Sequence, residues 1–526
     1  MRGLHCAAIV FGLLVGTAGT PPFVHGQIGG EVPIWVDAGG RPLAEASEAL
    51  AILRNAADDG LDPDDYDAAS LTAQAVALEA QPRRAVEDAV SFDTALTGGM
   101  VRYFRHLHSG RVDPRAAGFR LAVPADDHDF AAIVRAAVAR HELAVTVEEF
   151  RPPLALYRGL RGALRRYRSV AADPILSSLP TSAATVRAGD AYVGLPALHR
   201  LLAVLGDLPA DTPAPSEPLV YDGVWIDGVK HFQLRHGLEP DGVLGKLTQE
   251  ALRVPLSARV RQIELALERL RWLPHLGANR FVAVNIPMFR LWAWDSIPPD
   301  GAPSFDMGVI VGRALNTQTP VFVEEMTSVI FRPYWNIPSS ILRHEILPAV
   351  ERDPEYLQRH DMEIVSGSGD DARPVPATAA NLVELHQGRL RVRQRPGPDN
   401  ALGLVKFVFP NDENVYMHGT PAMQLFSRFR RDFSHGCVRL EDPVSLAEWV
   451  LKDRPEWSRD RIVAAMQGSR PVRVDLPRPI QVILFYITAV VLPEDGTVHF
   501  ADDIYRHDAK LEKAIGARRP DALSTP

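Results

Sequence analysis

The chain has 526 residues, too many for one ordinary core, so two to four domains are expected. It is 46% hydrophobic and 23% charged, with 57 Lys plus Arg against 65 Asp plus Glu and a formal charge of −8. That balance lacks the basic face of a nucleic-acid binder and argues against a surface that clings to anionic polymers.

At the N-terminus, Arg2 precedes an uncharged run, Cys6–Ala18. The run is too short to span a bilayer but suits the apolar core of a secretory signal. A signal peptide over 1–26 is therefore expected, giving an exported protein of the periplasm or cell envelope with no transmembrane anchor after its removal. The two cysteines are Cys6 and Cys437. Loss of the signal leaves Cys437 without a disulfide partner, and a lone thiol in an oxidising compartment is a candidate reactive group.

Residues 27–218 read as a helical scaffold. Pro42–Ala57, Leu71–Leu78, Val86–Leu107 and Tyr157–Val170 carry apolar residues three and four apart. Leu208–Pro218 is a linker by composition. Residues 219–255 form a small helical module, with Trp225, Val229 and Phe232 on one helix face, a turn at Asp241-Gly242 and a short helix at Leu247–Leu252. A connecting helix occupies 256–277. From 278 to 475 the period changes to that of strands: Phe281–Ile286, Phe289–Trp294, Met307–Val311, Val329–Trp335, Leu390–Arg393 and Leu404–Phe409 are short, β-branched or aromatic, and bounded by Gly, Pro and Asp. Ser339–Arg359 reads as a helical insertion, within about 339–380. Helices are expected again at Met423–Arg430, Val444–Lys452 and Asp460–Met466. Residues 476–526 are expected to hold one or two buried strands at Ile480–Leu492 and a loose polar tail from Asp508. The fold class is multidomain α+β.

The chemistry concentrates in Tyr416–Asp442, YMHGTPAMQLFSRFRRDFSHGCVRLED. A thiol attacks as thiolate, and with a free pKa of about 8.5 it needs a base or a cationic neighbour near neutrality. His418 and His435 are the two imidazoles that can serve. If the chain is extended at Gly436, His435 and Cys437 share a face. Gly436 frees the backbone to turn, and the amides of Gly436 and Cys437 can face a developing oxyanion. Zinc competes for the same ligand types, but no second cysteine accompanies them, so the nucleophile reading is favoured and no metal is assigned. Arg439 either pairs with Glu441 or Asp442, or faces the cleft and grips a substrate carboxylate.

His418-Gly419-Thr420 followed by Ser434-His435-Gly436-Cys437-Val438-Arg439 resembles the signature of the L,D-transpeptidase (YkuD-type) catalytic domain. Pro333–Pro338, Gln394–Pro398, Asn400–Gly403, Lys406, Leu270–Pro274 and Gly496–Tyr505 resemble the long, multidomain branch of that family. Val229–Gln233, Gly237-Leu238, Asp241-Gly242, Gly245 and Thr248 resemble its small three-helix peptidoglycan-binding module, with Asp227 where a small residue is usual. Gly419 stands where members of the long branch often carry an acidic residue.

The resemblance implies a mainly β catalytic sandwich with a helical cap that closes over the donor. It implies Cys437 as nucleophile, His418 as base, Gly419 orienting His418 through its carbonyl, and His435, Gly436 and Cys437 around the oxyanion. Arg439, Trp335, Asn336 and Tyr416 are the candidate substrate-binding residues. The implied partners are donor and acceptor peptidoglycan stem peptides and other cell-wall enzymes, with no cofactor and with carbapenem-type β-lactams as acylating inhibitors. The implied reaction is a 3→3 cross-link formed through a thioester. The same site with water as acceptor gives an L,D-carboxypeptidase or a hydrolase of wall-bound proteins. Attachment of a protein to the wall is another use of the thioester, and a non-catalytic wall-binding scaffold is the alternative outside enzymes.

Overall fold

In the computed structural model the described residues are 32–81, 85–121, 127–173, 184–273, 279–314, 317–367, 369 and 372–517. The expected signal peptide lies outside them. Among the described residues no helix is long and apolar enough to cross a membrane.

The N-terminal bundle consists of α1 (Ala44–Arg54), α2 (Ala68–Ala80), α3 (Val86–Ser109), α4 (Phe130–Ala139) and α5 (Leu143–Phe150). Their apolar stripes close around Trp35, Tyr66, Phe92, Tyr103 and Phe104. Helices α6 (Ala155–Ala171), α7 (Leu195–Leu205), α8 (Gly223–Arg235), α9 (Lys246–Leu252) and α10 (Leu256–Leu270) follow. The small module is thus wider than its expected bounds: α7 packs on α8 and supplies Leu198, Leu201 and Leu202 to the core that Val229 and Phe232 enter. Two short helices alone lack the apolar area for a core, so the third comes from across the Leu208–Pro218 connection.

The β-rich region runs through β1 (Phe281–Asn285), β2 (Arg290–Trp294), β3 (Phe305–Gly312), β4 (Phe322–Phe331), β5 (Trp335–Asn336), β6 (Met362–Ser366), β7 (Arg373–Val375), β8 (Arg391–Gln394), β9 (Val405–Val408), β10 (Met417–His418), β11 (Asp432–Ser434), β12 (Val438–Leu440) and β13 (Val472–Phe485). Nine strands form one sheet in the order β11-β3-β12-β10-β9-β4-β13-β1-β2, and β2 also pairs with β3, so the sheet bends round and closes. Strand β1 is buried on both faces: Val282 and Val284 enter the core of the β-rich region, while Phe281 and Ala283 enter the core shared with α6, α7, α8 and α10. The period of two sends alternate residues to different neighbours. The helices Pro443–Val450 and Arg459–Gln467 cover the inner face with Leu446, Ala447, Trp449 and Ile462.

The insertion expected as helical is mixed. Short helical turns from Ser339 to Arg359 pack on a four-stranded sheet, β5-β8-β6-β7, with a core of Ile337, Leu342, Ile346, Leu347, Ile364 and Val392. The tail also departs from expectation. Beyond β14 (Ala489–Val491) and β15 (Val498–Phe500), residues His507–Gly516 form a helix anchored by buried Leu511 and by an Arg269–Asp508 ion pair. Polarity on its outer face hid the few apolar contacts that hold it, those of Leu511, Ala514 and Ile515.

Two buried carboxylates join the bundle to the helices that follow it, Glu268 on α10 and Asp59 through Arg161 of α6. Glu268 is fully buried and accepts from Arg111 Nε at 3.0 Å, Val112 N at 3.3 Å and Arg271 Nη1 at 2.9 Å. Burial alone would raise its pKa, but the charges of Arg111 and Arg271 hold it below the usual value. Asp59, also fully buried, meets Arg151 at 3.0 Å and Arg161 at 2.8 Å.

We predict that Glu268→Ala, which leaves two buried guanidinium groups unpaired, costs about 3–5 kcal/mol, read as a lowered midpoint in a urea or thermal melt. The wild-type contribution is present above the ordinary carboxylate range and is lost as the pH falls through the lowered folded pKa.

Candidate active site

Strand β10 pairs parallel to β12, Met417 with Val438 and His418 with Arg439, and antiparallel to β9, Met417 with Phe407 and His418 with Lys406. Met417, Val438 and Phe407 point into the core, so His418, Arg439 and Lys406 form a row on the opposite face. Val438 N donates to Tyr416 O at 3.1 Å, which brings Cys437 beside Tyr416. The register therefore gathers five polar side chains from three strands at one place.

Cys437 is half-buried. Its thiol donates to Asn414 O at 3.9 Å. Burial pushes its pKa up; the amide and hydroxyl of Tyr416, both donated to the sulfur, and the charges of Lys406 and Arg439 act in the opposite direction. The Tyr416 hydroxyl also accepts from the Trp335 side chain, which links the cap to the sulfur, and burial followed by the nearby thiolate raises the Tyr416 pKa well above its usual value. Lys406 Nζ sits 3.6 Å from the centroid of the Tyr416 ring.

His418 is buried, and its Nδ1–H donates to Gly419 O at 2.5 Å. That bond fixes the tautomer and leaves Nε2 unprotonated. Burial lowers its pKa to about 3, helped by the charges of Arg439 and Lys406 and opposed by the carbonyls of Gly419 and Leu402. At neutral pH the imidazole is uncharged. Gly403, at φ +63°, allows this packing, since a Cβ there would meet Thr420 N at 2.6 Å.

Gly436 does not continue an extended strand. Its φ is +113°, which turns His435 away from the face of Cys437. His435 is exposed and pairs through Nε2 with Glu345 Oε1 at 2.7 Å, a residue of the π-helical turn Leu342–Ile346 in the cap. The Gly436 amide is also committed: it donates to Ser434 Oγ at 3.1 Å, and Ser434 Oγ donates to Cys437 O at 2.5 Å. Of the two amides expected at an oxyanion site, that of Gly436 is occupied by the turn itself.

The alternative pairing of Arg439 is not formed. Glu441 accepts from Gly308 N at 2.8 Å, and Asp442 caps the helix Pro443–Val450 through Ser445 N at 3.0 Å. Among the described residues Arg439 makes no ion pair, although Cys437 and Arg313 act on it electrostatically and burial lowers its pKa. Trp335 is half-buried and Asn336 exposed on β5, at the mouth of the cap. Of the residues missed as site members, Lys406 was named in sequence only by resemblance. Ser434 was named only as part of the motif, and Asn414 and Thr319 carry no signal of their own, because they lie in loops that only the closed fold brings to Cys437 and Gly436.

Three segments match known family models: residues 29–164 a “Scaffold domain”, residues 195–252 a “Putative peptidoglycan binding domain”, and residues 279–474 the L,D-transpeptidase catalytic domain, YkuD. A curated protein of Haemophilus influenzae named “Putative L,D-transpeptidase” is 31% identical over 301 residues, covering 55% of this chain and 58% of that protein. The chain thus spans less than two thirds of the length of this relative. The resemblance read from the Ser434–Arg439 and His418–Thr420 motifs is borne out, and so is the multidomain α+β class.

Tyr416→Phe removes one of the donors to the sulfur. We predict that its iodoacetamide alkylation at neutral pH slows several-fold and that the pH profile of alkylation moves to higher pH, measured by intact-mass spectrometry.

Proposed function

We propose that this chain, with an L,D-transpeptidase catalytic domain at residues 279–474, forms 3→3 cross-links between peptidoglycan stem peptides through a thioester on Cys437. The observation that carries the reading is the convergence on one sheet face of a thiol, an imidazole held as its Nδ1–H tautomer, and two cations without carboxylate partners among the described residues.

The proton inventory supports a general-base start. Burial keeps both the thiol and the imidazole neutral in the resting site. His418 Nε2 takes the thiol proton as Cys437 attacks the carbonyl after the third residue of the donor stem. The same proton then goes to the departing amine of D-alanine, leaving a thioester. The amine of a neighbouring stem attacks the thioester and passes its proton back through His418 as the thiolate is released. Lys406, Arg439 and the Tyr416 hydroxyl stabilise the thiolate whenever it forms. Arg439 is placed to hold a donor carboxylate. Trp335 and Asn336, on the first strand of the cap, line its entrance, and His435 ties the cap to the nucleophile turn.

The matched peptidoglycan-binding segment shares a hydrophobic core with the outer face of the catalytic sheet, which supports delivery of wall strands to this site. Stem peptides are accordingly the proposed partners, and the cell envelope outside the cytoplasm the proposed location. Carbapenem-type β-lactams would acylate Cys437.

The test is a product assay. Mature protein and Cys437→Ala are incubated with disaccharide-tetrapeptide and the products weighed by mass spectrometry. Dimers short of one D-alanine, absent with the variant, are expected. Tripeptide monomer alone would move the function to L,D-carboxypeptidase, and product from the variant would overturn the role of Cys437.

A further inference from the structure

Behind the nucleophile turn lies a buried strap that the proposed mechanism does not use. Thr319 is fully buried, and its hydroxyl donates to Gly436 O at 2.8 Å while accepting from Gly312 N at 2.9 Å. Thr317 Oγ1 and Arg313 N both donate to Ser434 O, at 3.2 Å and 3.1 Å. Tyr505 closes the strap: its hydroxyl donates to Gly312 O at 2.5 Å and accepts from Thr319 N at 3.2 Å. Tyr505 is itself held by its amide, which donates to Tyr486 Oη at 3.0 Å, and Tyr486 Oη donates to Asp503 at 2.7 Å.

The chemistry of this strap follows from peptide geometry. The Gly436–Cys437 bond is trans, and in a planar trans peptide the C=O and the N–H point in opposite directions. Fixing Gly436 O against buried Thr319 therefore directs the Cys437 N–H away from the strap, to the side where substrate arrives. Gly436 has no Cβ to restrict ψ, the torsion that turns this peptide plane, so the plane needs a partner to hold it, and the Gly436 amide is already spent on Ser434 Oγ. We infer that Thr319, braced by Tyr505, is the positioning residue that aims the Cys437 amide at the oxyanion of the tetrahedral intermediate. The inference rests on Cys437 being the nucleophile but not on the identity of the acyl donor. It also makes the C-terminal extension part of the site, since Tyr505 lies beyond the matched catalytic segment 279–474.

Two reactions of the same sulfur separate this role from a structural one. With p-nitrophenyl acetate the thiolate attacks the ester carbonyl, an oxyanion forms, p-nitrophenolate leaves and the acetyl group stays on sulfur. With iodoacetamide the thiolate displaces iodide and no oxyanion forms. The full chain is compared with Thr319→Val, Thr319→Ser and Tyr505→Phe, each rate being read by intact mass, with a thermal melt for each variant. Removing an oxyanion donor costs about 10²–10³ in rate, and a misaimed one is expected to cost at least about tenfold of that effect. The expected result is slower acetylation of Thr319→Val by that factor, alkylation within about twofold of wild type, and acetylation by Thr319→Ser close to wild type. If the valine variant does not fold, Tyr505→Phe, which keeps the buried ring, is expected to show the same split with a smaller loss. Equal loss in both reactions, or loss in neither, would overturn the inference. So would a wild-type thiol that alkylates normally but is acetylated no faster than a free cysteine peptide. Wild-type acetylation that depends on Thr319 without any product from stem peptides would support the inference while sinking the transpeptidase reading.

Discussion

The parallel pairing of β10 with β12 is the constraint on which the site depends. Strand register allows no partial shift, because sliding by one residue sends every side chain to the opposite face. Met417, Val438 and Phe407 are fully buried on the core side, and their burial fixes that register. His418, Arg439, Lys406 and Tyr416 then have nowhere to go but the outer face, around Cys437. The site is held by the same apolar contacts that hold the domain.

Burial sets the resting protonation of this site. Desolvation disfavours both the thiolate and the imidazolium, and it does so more strongly than the neighbouring charges favour the thiolate. The surrounding cations lower the basicity of His418, and the carbonyl of Gly419 only partly offsets them. The result is a neutral pair rather than a standing thiolate, which guards an unpaired cysteine against oxidation. An acidic side chain at position 419 is not needed for the orienting bond, since the backbone carbonyl of Gly419 accepts it.

Elsewhere the chain is joined by shared interiors. Strand β1 contributes to two cores at once, and the peptidoglycan-binding segment packs into the second of them through Val229 and Phe232. Buried Glu268 binds the N-terminal bundle to α10 and buried Asp59 binds it to α6, and losing a partner of a buried carboxylate costs far more than at the surface. These contacts make the helical regions a frame for the catalytic sheet.

The sequence alone determined the multidomain α+β class and most helices and strands, and it named a candidate nucleophile with two candidate bases. Periodicity and short-range spacing carry that information, and the Ser434–Arg439 motif is contiguous. It could not separate the two readings of Arg439, because Glu441 and Asp442 are near in sequence but find Gly308 and Ser445 in space. It put His435 on the face of Cys437 only for an extended Gly436; the φ of +113° goes with hydrogen bonds to Ser434, three residues from Cys437, and to Thr319, which is distant in sequence. Cap strands β6 and β7 and the C-terminal helix escaped for a related reason: each is stabilised by contacts with distant segments rather than by a strong local pattern. Local chemistry is written in neighbouring letters, whereas which groups meet is decided by sheet register, and register is fixed only when the whole core closes.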